Sequence, residues 1–214
     1  GETVGTTTYA YDLLDRVTAV TADGVETTYT YDANGNRASQ TTGAVTTTYT
    51  YNKANLVTGM VNTLLNDDGE DVVISEFAYT YYADGNQRTK TETLLGGDPI
   101  TTTYVYDGLG RLTGETTGED SITYTYDASG NRVGMNRNGT VTTYAYDANN
   151  RLLSEMVGDT VTTYTYDANG NTLTAGDKTY TYNDRGQQTG YSNGTTTASY
   201  AYNPSGLRKA KTVG

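Results

Sequence analysis

The sequence predicts an all-β chain: tandem β-hairpin repeats that form a spiralling β wall, tube or shell segment. Three observations predict it. A pair of Tyr residues two positions apart returns ten times, each copy alternates with a period of two, and turn-forming residues follow each pair.

The pairs are Tyr9/Tyr11, Tyr29/Tyr31, Tyr49/Tyr51, Tyr79/Tyr81, Tyr104/Tyr106, Tyr124/Tyr126, Tyr144/Tyr146, Tyr164/Tyr166, Tyr180/Tyr182 and Tyr200/Tyr202. Successive second members lie 20, 20, 30, 25, 20, 20, 20, 16 and 20 residues apart. In Val45 to Tyr51 one face carries Val45, Thr47, Tyr49 and Tyr51, and the other carries Thr46, Thr48 and Thr50. That is a strand with an aromatic face and a hydroxyl face. A helix would scatter the rings around its circumference, and so many β-branched residues disfavour one. Two strands per repeat give roughly 20 strands, and an open sheet that wide must curl because strands twist. Rings of neighbouring repeats are expected to form ladders. Val17, Val57, Leu112, Val133, Leu152 and Leu173 from the return strands are expected to fill between them.

The turns read as two forms. In the short form three residues separate Asp from Arg, in Asp12/Arg16, Asp107/Arg111 and Asp147/Arg151. The third loop residue, Asp15, Gly110 or Asn150, tolerates the left-handed backbone that a three-residue hairpin loop with a bulge requires. In the long form four residues intervene, in Asp32/Arg37 and Asp127/Arg132, with Asn34-Gly35 or Ser129-Gly130 in the middle. Both forms are expected to place Asp opposite Arg across the hairpin mouth as a register device, with the Asp also able to cap its own turn. The other units carry Asn52/Leu56, Tyr82/Gln87, Asp167/Thr172, Asn183/Gln188 and Asn203/Arg208. A reacting pair does not tolerate such dilution; a repeated structural device does.

Residues 1–214 therefore read as a single array of about ten units. A longer hairpin is inserted around residues 60–76, with Val61, Leu64, Leu65, Val72, Val73 and Ile74 in its arms and Asn66-Asp67-Asp68-Gly69 at its tip. Gly1–Tyr11 resembles the back half of a repeat and Pro204–Gly214 the front half of another. The chain starts with Gly, shows no signal peptide and has no capping repeat of altered polarity at either end. It is expected to be a segment of a larger protein or the subunit of a polymer.

Composition narrows function. There is no Cys, His or Trp, so the commonest transition-metal ligands and the usual bases of nucleophilic triads are missing. The formal charge of -11 repels phosphate backbones and acidic membrane surfaces, which argues against a nucleic-acid partner. No apolar run is long enough to insert in a membrane as a helix. The 45 Thr and 22 Tyr supply the order that 35% apolar content would otherwise leave in doubt. The Asp-Ala-Asn-Gly-Asn segments and the Asp67, Asp68, Glu70, Asp71 cluster read as turns and a solvated hairpin tip, since neither has calcium-loop spacing. The sequons at Asn138 and Asn193 read as turns. No catalytic residue, metal site or cofactor is expected.

The runs Tyr29-Thr30-Tyr31-Asp32-Ala33-Asn34-Gly35-Asn36-Arg37, Tyr124 to Arg132 and Tyr106-Asp107-Gly108-Leu109-Gly110-Arg111-Leu112 resemble the Tyr-Asp repeats of the RHS/YD-repeat family. The resemblance covers essentially the whole chain. That family includes bacterial polymorphic toxins, shell components of insecticidal toxin complexes, wall-associated bacterial proteins and teneurins. The resemblance implies a β shell and an exported, extracellular or cell-surface scaffold of bacterial type. Toxin members close their shell with an Asp-Pro-containing core segment. The nearest stretch here, Asn203-Pro204-Ser205-Gly206-Leu207, lacks the Asp and reads as another repeat turn.

Three functions follow as expectations. The first is a non-enzymatic scaffold: a secreted or cell-surface filament, tube or shell segment that continues into further repeats or into identical copies end to end. The second is a fragment of the cargo-encapsulating shell of an exported toxin. The third is a surface adhesion module for a cell-surface glycan or protein, using the hydroxyl face or the insertion.

Overall fold

The computed structural model describes residues 6–214. Residues 1–5, the start of the half repeat read over Gly1–Tyr11, lie outside the described residues. Among the described residues all regular structure is β: twenty strands, each antiparallel to its partners. The chain divides into two compact units, residues 1–121 and 122–214.

Unit 1 contains β1 (Thr7–Tyr11), β2 (Val17–Ala22), β3 (Val25–Tyr31), β4 (Arg37–Thr42), β5 (Val45–Tyr51), β6 (Val57–Leu65), β7 (Asp71–Tyr81), β8 (Gln87–Leu94), β9 (Ile100–Tyr106) and β10 (Leu112–Thr117). Unit 2 begins within β11 (Asp120–Tyr126) and continues through β12 (Arg132–Arg137), β13 (Thr140–Tyr146), β14 (Leu152–Val157), β15 (Thr160–Tyr166), β16 (Thr172–Ala175), β17 (Lys178–Tyr182), β18 (Gln188–Ser192), β19 (Thr197–Tyr202) and β20 (Arg208–Val213). Inside each unit every strand pairs with the next in an open meander. Among the described residues β1 pairs with β2 alone and β20 with β19 alone.

Two kinds of turn alternate. Front turns follow the second Tyr of each pair. Back turns, read from sequence only as polar links, are mostly two-residue hairpin loops such as Asp23-Gly24 and Asn138-Gly139, with φ of 50° and 80° and of 52° and 90°. Both central residues there are left-handed, the geometry that matches strand twist.

A third feature left no mark in the sequence. Tyr31 faces Arg37 while Thr30 faces Ser39, so Ala38 is an extra residue in the return strand. The same shift follows the second Tyr of every hairpin from Tyr11 to Tyr202. Such bulges bend the strand and add local twist. They also correct two expected fillers. Val133 and Leu173 occupy the bulge, and Leu173 is exposed, whereas Val17, Val57, Leu112 and Leu152 pair directly with a Tyr and are half-buried.

Within each unit, strands contact only the strands before and after them. The aromatic face is therefore covered by side chains of its own layer. Among the described residues only Ala198 and Thr142 are buried. Most Tyr pairs are half-buried and the Thr residues between them exposed, so the two faces differ as the alternation predicts. An enclosed aromatic core is not present. On β1, with a strand on one side, Tyr9 and Tyr11 are 57% and 58% exposed.

Candidate functional site

The repeated chemistry lies at the front turns and on the tyrosine face. At Asp12 the backbone N–H donates to the Arg16 carbonyl at 3.0 Å, and the Asp15 N–H donates to the Asp12 carbonyl at 3.1 Å. One carboxylate oxygen accepts the Leu14 and Arg16 N–H groups at 2.9 and 3.0 Å, and the other accepts Arg16 Nε at 2.7 Å. Asp107 with Arg111 and Asp147 with Arg151 repeat this, both side-chain bonds being 2.7 Å. The carboxylate thus fixes the loop backbone and the arginine together.

The supposed long form is the same loop. Asp32 N–H donates to the Asn36 carbonyl and Gly35 N–H to the Asp32 carbonyl. The side chain that meets the carboxylate is Asn36, at 3.0 Å; in the Asp127 turn it is Asn131, at 2.9 Å. The expected Asp32/Arg37 and Asp127/Arg132 pairing is corrected accordingly. The loop always closes on the fourth residue after the acid, and Arg37 and Arg132 come fifth, already in strand register beside Tyr31 and Tyr126. Their guanidinium groups turn to the rings: Arg37 lies 4.4 Å from the Tyr29 centroid, and Arg132 lies 5.6 and 4.7 Å from those of Tyr124 and Tyr144. Asn52, Asn183 and Asn203 build the same turn with an amide oxygen, which shows why Asp is dispensable there. Where Tyr82 takes the position, Asp84 accepts from Asn86 instead. Asn203-Pro204-Ser205-Gly206-Leu207 is one more such turn.

In six of the pairs the second Tyr ties one hairpin to the one before. Tyr31 OH donates to the Val17 carbonyl at 2.6 Å, Tyr51 to Arg37 at 2.8 Å, Tyr81 to Val57 at 2.5 Å, Tyr146 to Arg132 at 3.0 Å, Tyr166 to Leu152 at 2.9 Å and Tyr202 to Gln188 at 2.8 Å. In each case the acceptor is the residue that faces the preceding second Tyr. Arg16 and Arg151, held by their own Asp, lie over Tyr31 and Tyr166 of the next hairpin at 4.4 and 5.1 Å. A return strand separates the rings of successive hairpins, so about 9–10 Å of sheet lies between them. The first Tyr of each pair faces a return-strand side chain: Tyr29 faces Gln40, Tyr49 faces Met60, Tyr79 faces Lys90 and Tyr164 faces Ala175. Tyr9, Tyr104, Tyr144 and Tyr200 face Val20, Glu115, Glu155 and Lys211. Tyr180 faces Tyr191, their centroids 5.6 Å apart. The ladder therefore alternates ring and filler. Adjacent front turns are also stitched, by Asn36 to Asn55 and Asn131 to Asn150, both at 2.9 Å.

Burial raises the phenol of Tyr51, Tyr81, Tyr106, Tyr146, Tyr164 and Tyr182. The loop carboxyls move the other way. Side-chain hydrogen bonds from Arg16, Asn36, Asn131 and Asn171 lower Asp12, Asp32, Asp127 and Asp167, and backbone N–H donors lower Asp107 and Asp147. A carboxyl lowered on folding adds stability above its unfolded value of 3.8, and that stability is lost as pH falls through the folded value. Urea midpoints are expected to stay level from pH 7 to about 5 and to fall below about pH 4. Asp167→Asn should reduce that fall, because Asn183 already makes the equivalent backbone bonds. An unchanged acid slope in this variant would refute the assignment.

Asp67, Asp68 and Glu70 sit on the exposed tip of the β6–β7 hairpin, which copies the front turn with Asn66 as its capping residue. Among the described residues no group of three His, Cys, Asp or Glu converges as a metal site. Among the described residues there is no helix long and apolar enough to cross a membrane; the regular elements are strands.

The fold and its repeated turn define a class: a structural β-hairpin repeat in which each unit is completed by its neighbours. Comparison with known proteins gives the family. The teneurin YD-shell family matches residues 68–212 and the RHS repeat matches residues 11–44, so the chain belongs to the RHS/YD-repeat family and is a non-enzymatic repeat module. No curated protein matches the chain. Among solved structures it is similar to a chain of the Photorhabdus luminescens Tc holotoxin pore carrying the mutation TccC3-D651A. The identity is 19% and the TM-score 0.70, over 96% of this chain and 12% of that one. It is also similar to chains of the TcdB2-TccC3-Cdc42 and TcdB2-TccC3 crystal structures. Both are 18% identical, with TM-scores of 0.66 and 0.65, over 98% and 96% of this chain and 16% of each of those. The chain thus spans less than a fifth of each of these toxin-complex chains.

Proposed function

We propose that the chain is a stretch of wall from the cargo-enclosing shell of an exported bacterial toxin, acting outside the cell that makes it. The observation that carries this is fold similarity along almost the whole chain to toxin-complex chains several times longer. The one-layer construction supports it, because contacts with the hairpins before and after are enough to extend such a wall. The Tyr pairs and the Asp–Arg turns serve as its inter-hairpin ties. Its partners are further repeats of the same polypeptide and, as the names of the similar structures suggest, other components of a toxin complex.

The filament reading is weaker, since it has no counterpart among the similar toxin-complex chains. Sequencing the gene around this segment tests the proposal. The expected result is several hundred further codons of the same repeat, an Asp-Pro core segment and an unrelated C-terminal domain. Electron microscopy of the encoded protein should show closed hollow particles, with the C-terminal domain protected from protease. A reading frame without these parts, or open fibres, would overturn the shell reading.

A further inference from the structure

The aromatic face of unit 1 changes character toward the back turns of β5 to β9. Register places Val45, Leu64 and Val72 in one row across β5, β6 and β7. On the same face Leu94 stands beside Ser75, and Ile100 beside Glu92. Leu94 and Ile100 are 55% and 58% exposed, unlike the half-buried rings nearer the front turns. With Glu92, Gly97 and Asp98 they line a cavity of about 210 Å³.

Strand β7 also outruns β8. Its pairing with β8 ends at Ser75, followed by one bond from Leu95 N–H to the Ile74 carbonyl. Asp71 to Val73 pair with β6, so among the described residues this stretch has a strand on one side only. A short free edge therefore runs beside the apolar ledge.

The rim of the ledge is acidic. Asp67, Asp68 and Glu70 occupy the β6–β7 tip, Asp71 begins β7, and Asp98 lies in the β8–β9 link. The sequence has no Lys or Arg between Lys53 and Arg88, nor between Lys90 and Arg111. The front turns, by contrast, pair Asp12, Asp107 and Asp147 with arginine.

We propose that this ledge docks an extended polypeptide segment in which apolar side chains alternate with lysine or arginine. An added strand would pair its backbone with the free edge of β7 and direct alternate side chains onto the ledge. Its cations would meet the rim carboxylates. A second copy of the chain is disfavoured, because it carries a net charge of -11 and would bring the same carboxylates against their own kind. An anionic lipid surface is repelled by the same sign. The assignment needs only this face and stands whether or not the shell reading holds.

The test uses the full chain and fluorescently labelled ten-residue peptides of alternating Val-Lys, Ser-Lys and Val-Glu, read by anisotropy. The Val-Lys peptide is expected to bind saturably, at least tenfold more tightly than either of the others. The double variant Leu94→Ser with Ile100→Ser should weaken it at least tenfold. Replacing Asp67 and Asp68 by Asn and Glu70 by Gln should weaken it severalfold. Val141→Ser with Val161→Ser, at two exposed apolar positions of unit 2, should leave it within twofold. Equal binding of the Ser-Lys peptide would overturn the proposal, as would an equal loss in the unit 2 variant. So would a dimer that the Leu94 and Ile100 changes dissociate. If the double variant fails to fold, the carboxylate variant, which removes no packing, decides.

Discussion

Replacing Tyr31 by Ala is expected to lower the unfolding free energy by about 2–3 kcal/mol, the lower side of the range for deleting a large side chain, because the ring is half-buried. The loss has three sources. The ring leaves the face it shares with β2 and β4, Arg16 loses the surface 4.4 Å beneath it, and the Val17 carbonyl loses its 2.6 Å donor. Tyr31→Phe removes only the last and should cost about 1 kcal/mol. Combining Tyr31→Ala with Arg16→Met should reveal about 0.5–1 kcal/mol of coupling between ring and guanidinium, and combining Tyr31→Phe with it almost none. Urea denaturation of the two Tyr31 variants, Arg16→Met and the two double variants measures all of this. Equal losses for Ala and Phe would mean that the ring contributes nothing beyond its hydroxyl. Hydrogen exchange should speed up in the hairpins on both sides of the change, because each is completed by the other.

The second large effect is expected in a front turn. Gly170 has φ of 86°, and a Cβ built there meets nothing within 4 Å. A substitution is therefore opposed by backbone strain alone. Gly170→Val should cost about 1–2 kcal/mol, and Gly170→Asn much less. Asn55 and Asn150 already occupy the equivalent place, each at φ of 60°. Thermal or urea unfolding of the two variants checks the order. A valine variant as stable as wild type would mean that the loop does not require a left-handed residue.

These two positions also mark what the sequence discloses and what it hides. The rings, their period and the left-handed loop residue announce themselves through residue type, and they were enough to read an all-β hairpin array. Spacing measured to the arginine divides the loops into two forms. Aligning instead on Asp15, Gly35, Asn55 and Gly110, each third after the capping residue, makes the loops one. The bulge stays hidden because its extra residue is Thr18, Ala38 or Arg88 as readily as Leu153, and no side-chain chemistry is demanded there. The depth of the aromatic face could not be read either. Alternation reports that one side is apolar, and the number of layers that cover it depends on partners absent from the pattern. The bonds from Tyr hydroxyls to the preceding return strand join residues 14 positions apart, or 24 for Tyr81, across a bulge that leaves no mark in the sequence.

The steady front turns and variable back turns have a consequence for how such chains change over generations. The departures from 20-residue spacing, 16, 25 and 30, are absorbed on the back side, in the short β16–β17 hairpin, the β8–β9 link and the tall β6–β7 hairpin. A gene can therefore acquire or shed codons on that side without unsettling the stitched loops opposite. Because no strand within a unit depends on any but its immediate neighbours, copying a whole hairpin by unequal recombination strands no side chain without company. Novelty is free to accumulate along one margin while the other keeps count.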